Sequence, residues 1–288
     1  MAEPESVAQG RGVGSSAQKE EPVKVAVAGL GSIGGALVRS FAKGGIPGAC
    51  LAAVASRSKD KARALLADAG IDAPILDIAE LAAAADLVVE CAPADVLADI
   101  ARPVLGAGKK IIVVSCGALL EHPELISLAE ECGGQIIVPS GALLGLDAVS
   151  AAAEGEIRSV KMITRKPVRG LLGAPYLEEH GIDIEGITEP MRVFEGTARQ
   201  AAKGFPANLN VAVALSLAGI GPDETVLEIR ADPKLTRNTH QIVVDADSAR
   251  FEMAIENIPS ENPKTGRITA LSVIAAIRKL TAPLRVGT

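Results

Sequence analysis

Two stretches of the chain carry residue types whose spacing suits chemistry. One is NTHQIVVDAD, residues 238–247, which sets His240 on the same side of an alternating run as Ile242 and Val244. An imidazole changes charge near neutral pH and transfers protons in either direction. The same ring on an apolar strand face also serves as a structural group satisfied by one hydrogen bond, and spacing alone leaves both roles open. His122, beside Pro123, and His180, in a Glu-rich stretch, are weaker candidates for acid–base work.

The other stretch is Gly29-Leu30-Gly31-Ser32-Ile33-Gly34, a GxGxxG pattern. Alone it is weak, but here it follows a short apolar run and opens a helical pattern, the context of a dinucleotide-binding loop. Gly29 permits the tight turn, Gly31 lets backbone approach a pyrophosphate, and Gly34 lets the helix pack on the strand. The helix end, with Ser32 and Ile33, supplies unpaired N–H groups to phosphate. At the end of the next strand stand Ser56, Arg57 and Ser58. No carboxylate is present there to bond a ribose 2′-hydroxyl, whereas Arg57 suits a 2′-phosphate, so NADP is expected to be preferred over NAD. The rest of the groove is expected from small-residue turns at later strand ends: Cys91-Ala92-Pro93, Ser115-Cys116-Gly117 and Ser140-Gly141-Ala142.

The elements that position these residues show in the texture of the chain. From Val23, short apolar runs alternate with helical patterns through QIIVPS, which ends at Ser140. That alternation predicts an α/β fold, a Rossmann-type doubly wound parallel sheet over residues 23–140. After Gly141 the runs IRSVKMITRKP, TVLEIRAD, THQIVVDA and RFEMAIEN predict an antiparallel sheet covered by helices. This is a second α+β domain over residues 141–262. A final amphipathic helix, 263–280, is expected to return to the first domain. Residues 1–22 are small and polar and are expected to form a disordered tail.

Composition narrows the class. A net charge of −6 with 2% aromatic residues argues against nucleic-acid binding, which wants a clustered basic excess. Four cysteines without a CxxC pair read as reduced thiols of a cytoplasmic protein. No export signal or membrane span is expected: the longest uncharged run, 204–222, is interrupted by two asparagines and two prolines. No metal-ligand spacing is seen.

Taken together, GLGSIG, VPSGALLGLDAV, TRKP, EGTARQAAKGFPANLNVAVALSLAG, ADP, NTHQI and ENPKTGRITALSVIAAI resemble the L-aspartate dehydrogenase family. The resemblance spans about residues 23–280. It implies NAD- or NADP-linked oxidation of L-aspartate to iminosuccinate, hence oxaloacetate and ammonia, and the reverse amination. It also implies a homodimer, and some members are thought to feed NAD synthesis. The family's active-site histidine falls on His240, and its further cofactor contacts fall on Ala142 and Asn208. A dicarboxylate substrate then calls for cations and helix ends: Arg165 and Lys166 in TRKP, and the helix start at Thr197 and Ala198. Two other readings share the plan: a two-domain reductase of the dihydrodipicolinate reductase or homoserine dehydrogenase kind, and a non-catalytic NADP sensor.

Overall fold

A computed structural model of the chain describes residues 21–205, 209–259 and 266–288. The polar segment before residue 21, Asn208, and the first residues of the expected final helix lie outside them. The first sheet is built from β1 (Val23–Ala28), β2 (Ala49–Ala55), β3 (Leu87–Glu90), β4 (Lys110–Val113) and β5 (Gln135–Ile137). Between them run α1 (Ser32–Ala42), α2 (Lys59–Ala69), α3 (Leu81–Ala84), α4 (Leu97–Gly106) and α5 (Glu124–Cys132). The strand order is β2-β1-β3-β4-β5, all parallel.

A parallel sheet is buried on both faces, so its strands are apolar without alternation. Ala26, Ala28 and Val88 pack into one core layer with Leu97 and Ile100 of α4. Val25, Val27 and Val89 pack into the opposite layer with Leu37 of α1. Beyond β2 a single parallel bridge, Val54 to Ile75, occupies the place of one more strand. Counted with that bridge, the order is that of a dinucleotide-binding sheet whose third strand has shrunk to one residue.

The second sheet follows α6 (Leu146–Ala153) and comprises β6 (Ile157–Lys166), β7 (Met191–Thr197), β8 (Val226–Ala231), β9 (Thr239–Ala246) and β10 (Arg250–Glu256). The helices α7 (Pro175–Glu179), α8 (Ala198–Gly204) and α9 (Asn210–Ala218) fall between β6 and β8. The order is β10-β9-β6-β8-β7. This corrects the wholly antiparallel expectation, because β6 and β8 run parallel. The long connection through the three helices and β7 lets the chain cross over before β8, which short hairpins cannot do. Met162, Ile242, Val244 and Ile229 point from this sheet into a core completed by Ala212 and Leu215 of α9.

The last helix, α10 (Arg267–Thr281), lies on the first sheet's side. Val273 and Ile277 are buried with Val25 and Leu37, and Thr281 Oγ1 donates to the Pro47 carbonyl at 2.9 Å.

Candidate active site

The glycine loop sits where the strand order reverses, between β1 and β3, the point at which such sheets bind ligands. Gly29 has φ +94°, open to glycine alone at no steric cost. A Cβ on Gly29 would lie 2.5 Å from the Cys91 carbonyl oxygen, and one on Gly34 would lie 1.9 Å from Gly29 O. Nothing stands within 4 Å of a Cβ built on Gly31. The loop is therefore packed tightly against β1 and β3 and open on the side where backbone would meet a pyrophosphate at the start of α1. These residues fit a dinucleotide.

The neighbouring strand ends are tied together by Glu90, fully buried at the end of β3. Its carboxylate accepts from the N–H groups of Ala92 at 2.8 Å, Val114 at 3.1 Å and Ser115 at 2.9 Å, and from Ser115 Oγ at 2.9 Å. Burial raises its pKa above the usual carboxylate range, against the pull of those donors. Glu90 thus holds Ala92 and Ser115 in place; the only sign of it in the sequence is one carboxylate in an apolar run. Cys91 and Cys116 are thiols held neutral by burial, Cys116 being pushed up to about 12.

Between the two sheets lies a cavity of about 110 Å³, lined from the first side by Ile33, Cys116, Ser140 and Ala142. Its other wall holds Lys166, Asn210, Asn238 and His240. Asn210, at the start of α9, joins the walls: its Oδ1 accepts from Gly117 N–H at 2.9 Å, and its carbonyl accepts from Cys116 Sγ at 3.1 Å. His240 faces inward from β9, only 3% exposed, paired in register with Thr164 of β6. Thr164 Oγ1 and His240 Nδ1 share a hydrogen bond of 3.1 Å, which fixes the ring plane and leaves Nε2 for a ligand. Lys166 lies two residues beyond Thr164 on the same face, 4% exposed.

The electrostatics follow from this burial. Desolvation pushes the Lys166 ammonium down to about 8. Desolvation, and then the Lys166 charge, push His240 down to about 3. The ring is more deeply buried than its alternating strand suggests, so it stands neutral and is only weakly basic.

A stability consequence has a definite sign. Between the unfolded value of 6.5 and about 3, the unfolded chain binds a proton at this residue that the folded chain does not. Stability therefore falls as pH drops through that window. From neutral pH to about pH 4.5 the loss is about 3 kcal/mol at ~1.4 kcal/mol per unit. His240→Gln should remove that part of the acid sensitivity; urea midpoints at the two pH values, falling equally in both proteins, would contradict it.

Of the residues singled out in the sequence, Ile33, Cys116, Ser140, Gly141, Ala142, Lys166 and His240 meet at this cavity. Arg165, Thr197 and Ala198 are not brought to it. Strand alternation turns Arg165 to the opposite face from Lys166, where Nη2 donates to Asp232 Oδ2 at 2.5 Å. Thr197 caps α8, its Oγ1 accepting from Gln200 N–H at 3.2 Å and its own N–H donating to Gln200 Oε1 at 2.9 Å. Arg57 is exposed at the end of β2 and makes no ion pair among the described residues. Asn210, Asn238, Asn257 and Thr269 line the cavity and escaped notice as sequence.

Comparison with known proteins settles the family. Residues 29–139 match the NAD-binding domain of homoserine dehydrogenase, and residues 147–280 match the C-terminal domain of aspartate dehydrogenase. The L-aspartate dehydrogenase 3 of Bordetella bronchiseptica is 60% identical over 268 residues, covering 93% of this chain and 98% of that protein. The chain belongs to the L-aspartate dehydrogenase family. The L-aspartate dehydrogenase of Bradyrhizobium diazoefficiens is 58% identical, covering 92% of this chain and 94% of its own. The crystal structure of aspartate dehydrogenase from Thermotoga maritima superposes with a TM-score of 0.71 at 25% identity, covering 92% of this chain and 99% of that one. Membership makes the chain an amino-acid dehydrogenase, an oxidoreductase with a nicotinamide cofactor. No helix among the described residues is long and apolar enough to cross a membrane.

Proposed function

We propose that this protein interconverts L-aspartate and iminosuccinate, the imine then exchanging with oxaloacetate and ammonia, with His240 as general base. The observation that carries the reading is the pairing of buried His240 with buried Lys166 in one cavity whose other wall belongs to the dinucleotide-binding sheet. A bound nicotinamide would supply the acceptor for hydride from the substrate Cα. Lys166 binds a substrate carboxylate, which offsets the ammonium charge beside His240 and makes the imidazole a better base. Neutral His240 then takes a proton from the amine or from the water that attacks the imine. Asn210 and Asn238, on the same wall, are suited to the second carboxylate, since Arg165, Thr197 and Ala198 are engaged elsewhere.

The cofactor we propose is NADP in preference to NAD. Supporting it are the exposed Arg57 at the end of β2 and the lack of any carboxylate at Ser56 or Ser58. A working homodimer in the cytoplasm is proposed as well, the first from the family resemblance and the second from four cysteines free of disulfides.

One assay tests both parts: absorbance of the reduced cofactor with oxaloacetate plus ammonia, then L-aspartate with NADP or NAD. Turnover with aspartate, absent with homoserine or alanine, is expected, with kcat/KM at least about ten-fold higher for NADP. Arg57→Ala should lower that ratio toward one and leave the NAD rate unchanged. A ten-fold preference for NAD in the unaltered protein refutes the NADP assignment; tight cofactor binding without turnover refutes the substrate.

A further inference from the structure

Asn257 follows β10 and is 4% exposed. Its Nδ2 donates to the Ala142 carbonyl at 2.9 Å, and its own N–H donates to the Asn238 carbonyl at 2.8 Å. Because a carbonyl only accepts, that first bond sets the amide orientation and leaves Oδ1 as the open acceptor, beside Gly266, which lines the same cavity as Asn257. Asn257 Oδ1 is the one buried side-chain polar atom among the described residues that has no hydrogen-bond partner. Leaving a buried acceptor unsatisfied is costly, and such an atom in a binding cleft marks where a donor belongs.

We infer that Asn257 Oδ1 is the acceptor for the carboxamide N–H of the nicotinamide ring. The inference rests on the nicotinamide-cofactor reading. A substrate carboxylate cannot be the partner, since it too only accepts. The donors are then the dinucleotide's, its carboxamide nitrogen and ribose hydroxyls, and the substrate amine; position separates the first set from the amine, and the analogue used below separates the carboxamide from the hydroxyls. Asn257 is tied to Ala142, on the turn that leaves the last strand of the dinucleotide-binding sheet. The corner is stiffened by α10, whose Ser272 Oγ accepts from Gly141 N–H at 3.0 Å and donates to the Thr269 carbonyl at 2.7 Å. A dinucleotide whose phosphates meet α1 and whose adenosine turns toward β2 and Arg57 brings its other end to the β4–β5 side, over this turn. The substrate's charged groups are drawn instead to Lys166, in the second sheet. Asn257 thereby reads the one polar group that distinguishes a nicotinamide from a plain pyridinium.

The test compares binding of NADP with that of its 3-acetylpyridine analogue, in which a methyl group replaces the amide nitrogen and the donor is lost. Isothermal calorimetry is the readout, since the chain has no tryptophan to quench. In the unaltered protein the analogue should bind about ten-fold or more weakly, and in Asn257→Leu the two should bind alike. If the leucine variant does not fold, Asn257→Ser removes the same acceptor reach with less bulk. The same penalty in protein and variant, or none in the unaltered protein, overturns the inference. So does a variant that changes only the KM for aspartate, which would assign Oδ1 to the amine. Failure of the unaltered protein to bind either dinucleotide is a separate result: it removes the cofactor reading, and the inference with it.

Discussion

His240→Ala is expected to lower kcat by about a hundred-fold or more, the usual loss on removing a general acid–base group, with little change in cofactor affinity. The site separates the two quantities. His240 lies on β9 in the second sheet, while the loop proposed for the phosphates lies between β1 and α1 in the first. The substitution also leaves Thr164 Oγ1 without its 3.1 Å partner, which costs stability but puts no new charge in the cavity. Binding of the dinucleotide, measured by calorimetry, shows that the variant is folded; single-turnover hydride transfer then reports on the chemistry. A variant with near-normal kcat would return His240 to the role of a strand histidine bonded to Thr164. The burial that holds this ring down at about 3 also gives the rate a dependence on Lys166, whose charge opposes protonation of its neighbour.

The second large effect is expected at the glycine loop, where three neighbouring positions should behave differently. Gly34→Ala places a methyl group 1.9 Å from Gly29 O, a backbone atom, and 3.3 Å from Val27 Cγ1. Neither neighbour has room to retreat, because Gly29 is already turned to φ +94° under Cys91. The start of α1 must lift from β1, and both stability and dinucleotide binding should fall. Overpacking of this kind costs about 1–3 kcal/mol or more, and affinity is expected to drop at least about a hundred-fold as the helix end moves off the phosphates. Gly35→Ala is the control: its Cβ meets nothing closer than 3.5 Å, and both properties should hold or improve. Gly31→Ala meets nothing within the protein, so it should keep the melting temperature and lose affinity only. Equal melting curves and equal affinities for Gly34→Ala and the unaltered protein would end this account of the loop.

The first sheet is readable in the chain because its strands are short, mostly apolar runs that alternate with helical patterns, and some of the boundaries are marked. Ser58 caps α2, and Gly70 ends it in a left-handed turn. What stayed hidden depends on distant partners. The single bridge at Ile75 follows Pro74, which has no N–H for a ladder, so no strand shows in the sequence there. The parallel pairing of β6 with β8 is decided by the path of the intervening helices, which no local period encodes. The helix α6 is a run of small residues that carries no strong apolar stripe. In TRKP two cations stand side by side, and only the phase of β6 separates them. Val160 and Met162 set the inward parity, and Lys166 continues it while Arg165 does not; that signal was present in the sequence. Asn257 looks like an ordinary residue at the end of a strand. Its importance appears only when Ala142, in the turn after β5 and 115 residues earlier in the chain, is folded against it.

The packing of α10 also bears on how the protein is made. The first sheet has received all its strands by Ile137, yet Val273 and Ile277, which close one of its two core layers, are translated 136 and 140 residues later. At ordinary elongation rates the delay is on the order of ten seconds. Throughout it the nascent sheet leaves uncovered the apolar layer that holds Leu37 and Ile46. The earlier of the two sheets in the chain is therefore the last to have its core completed.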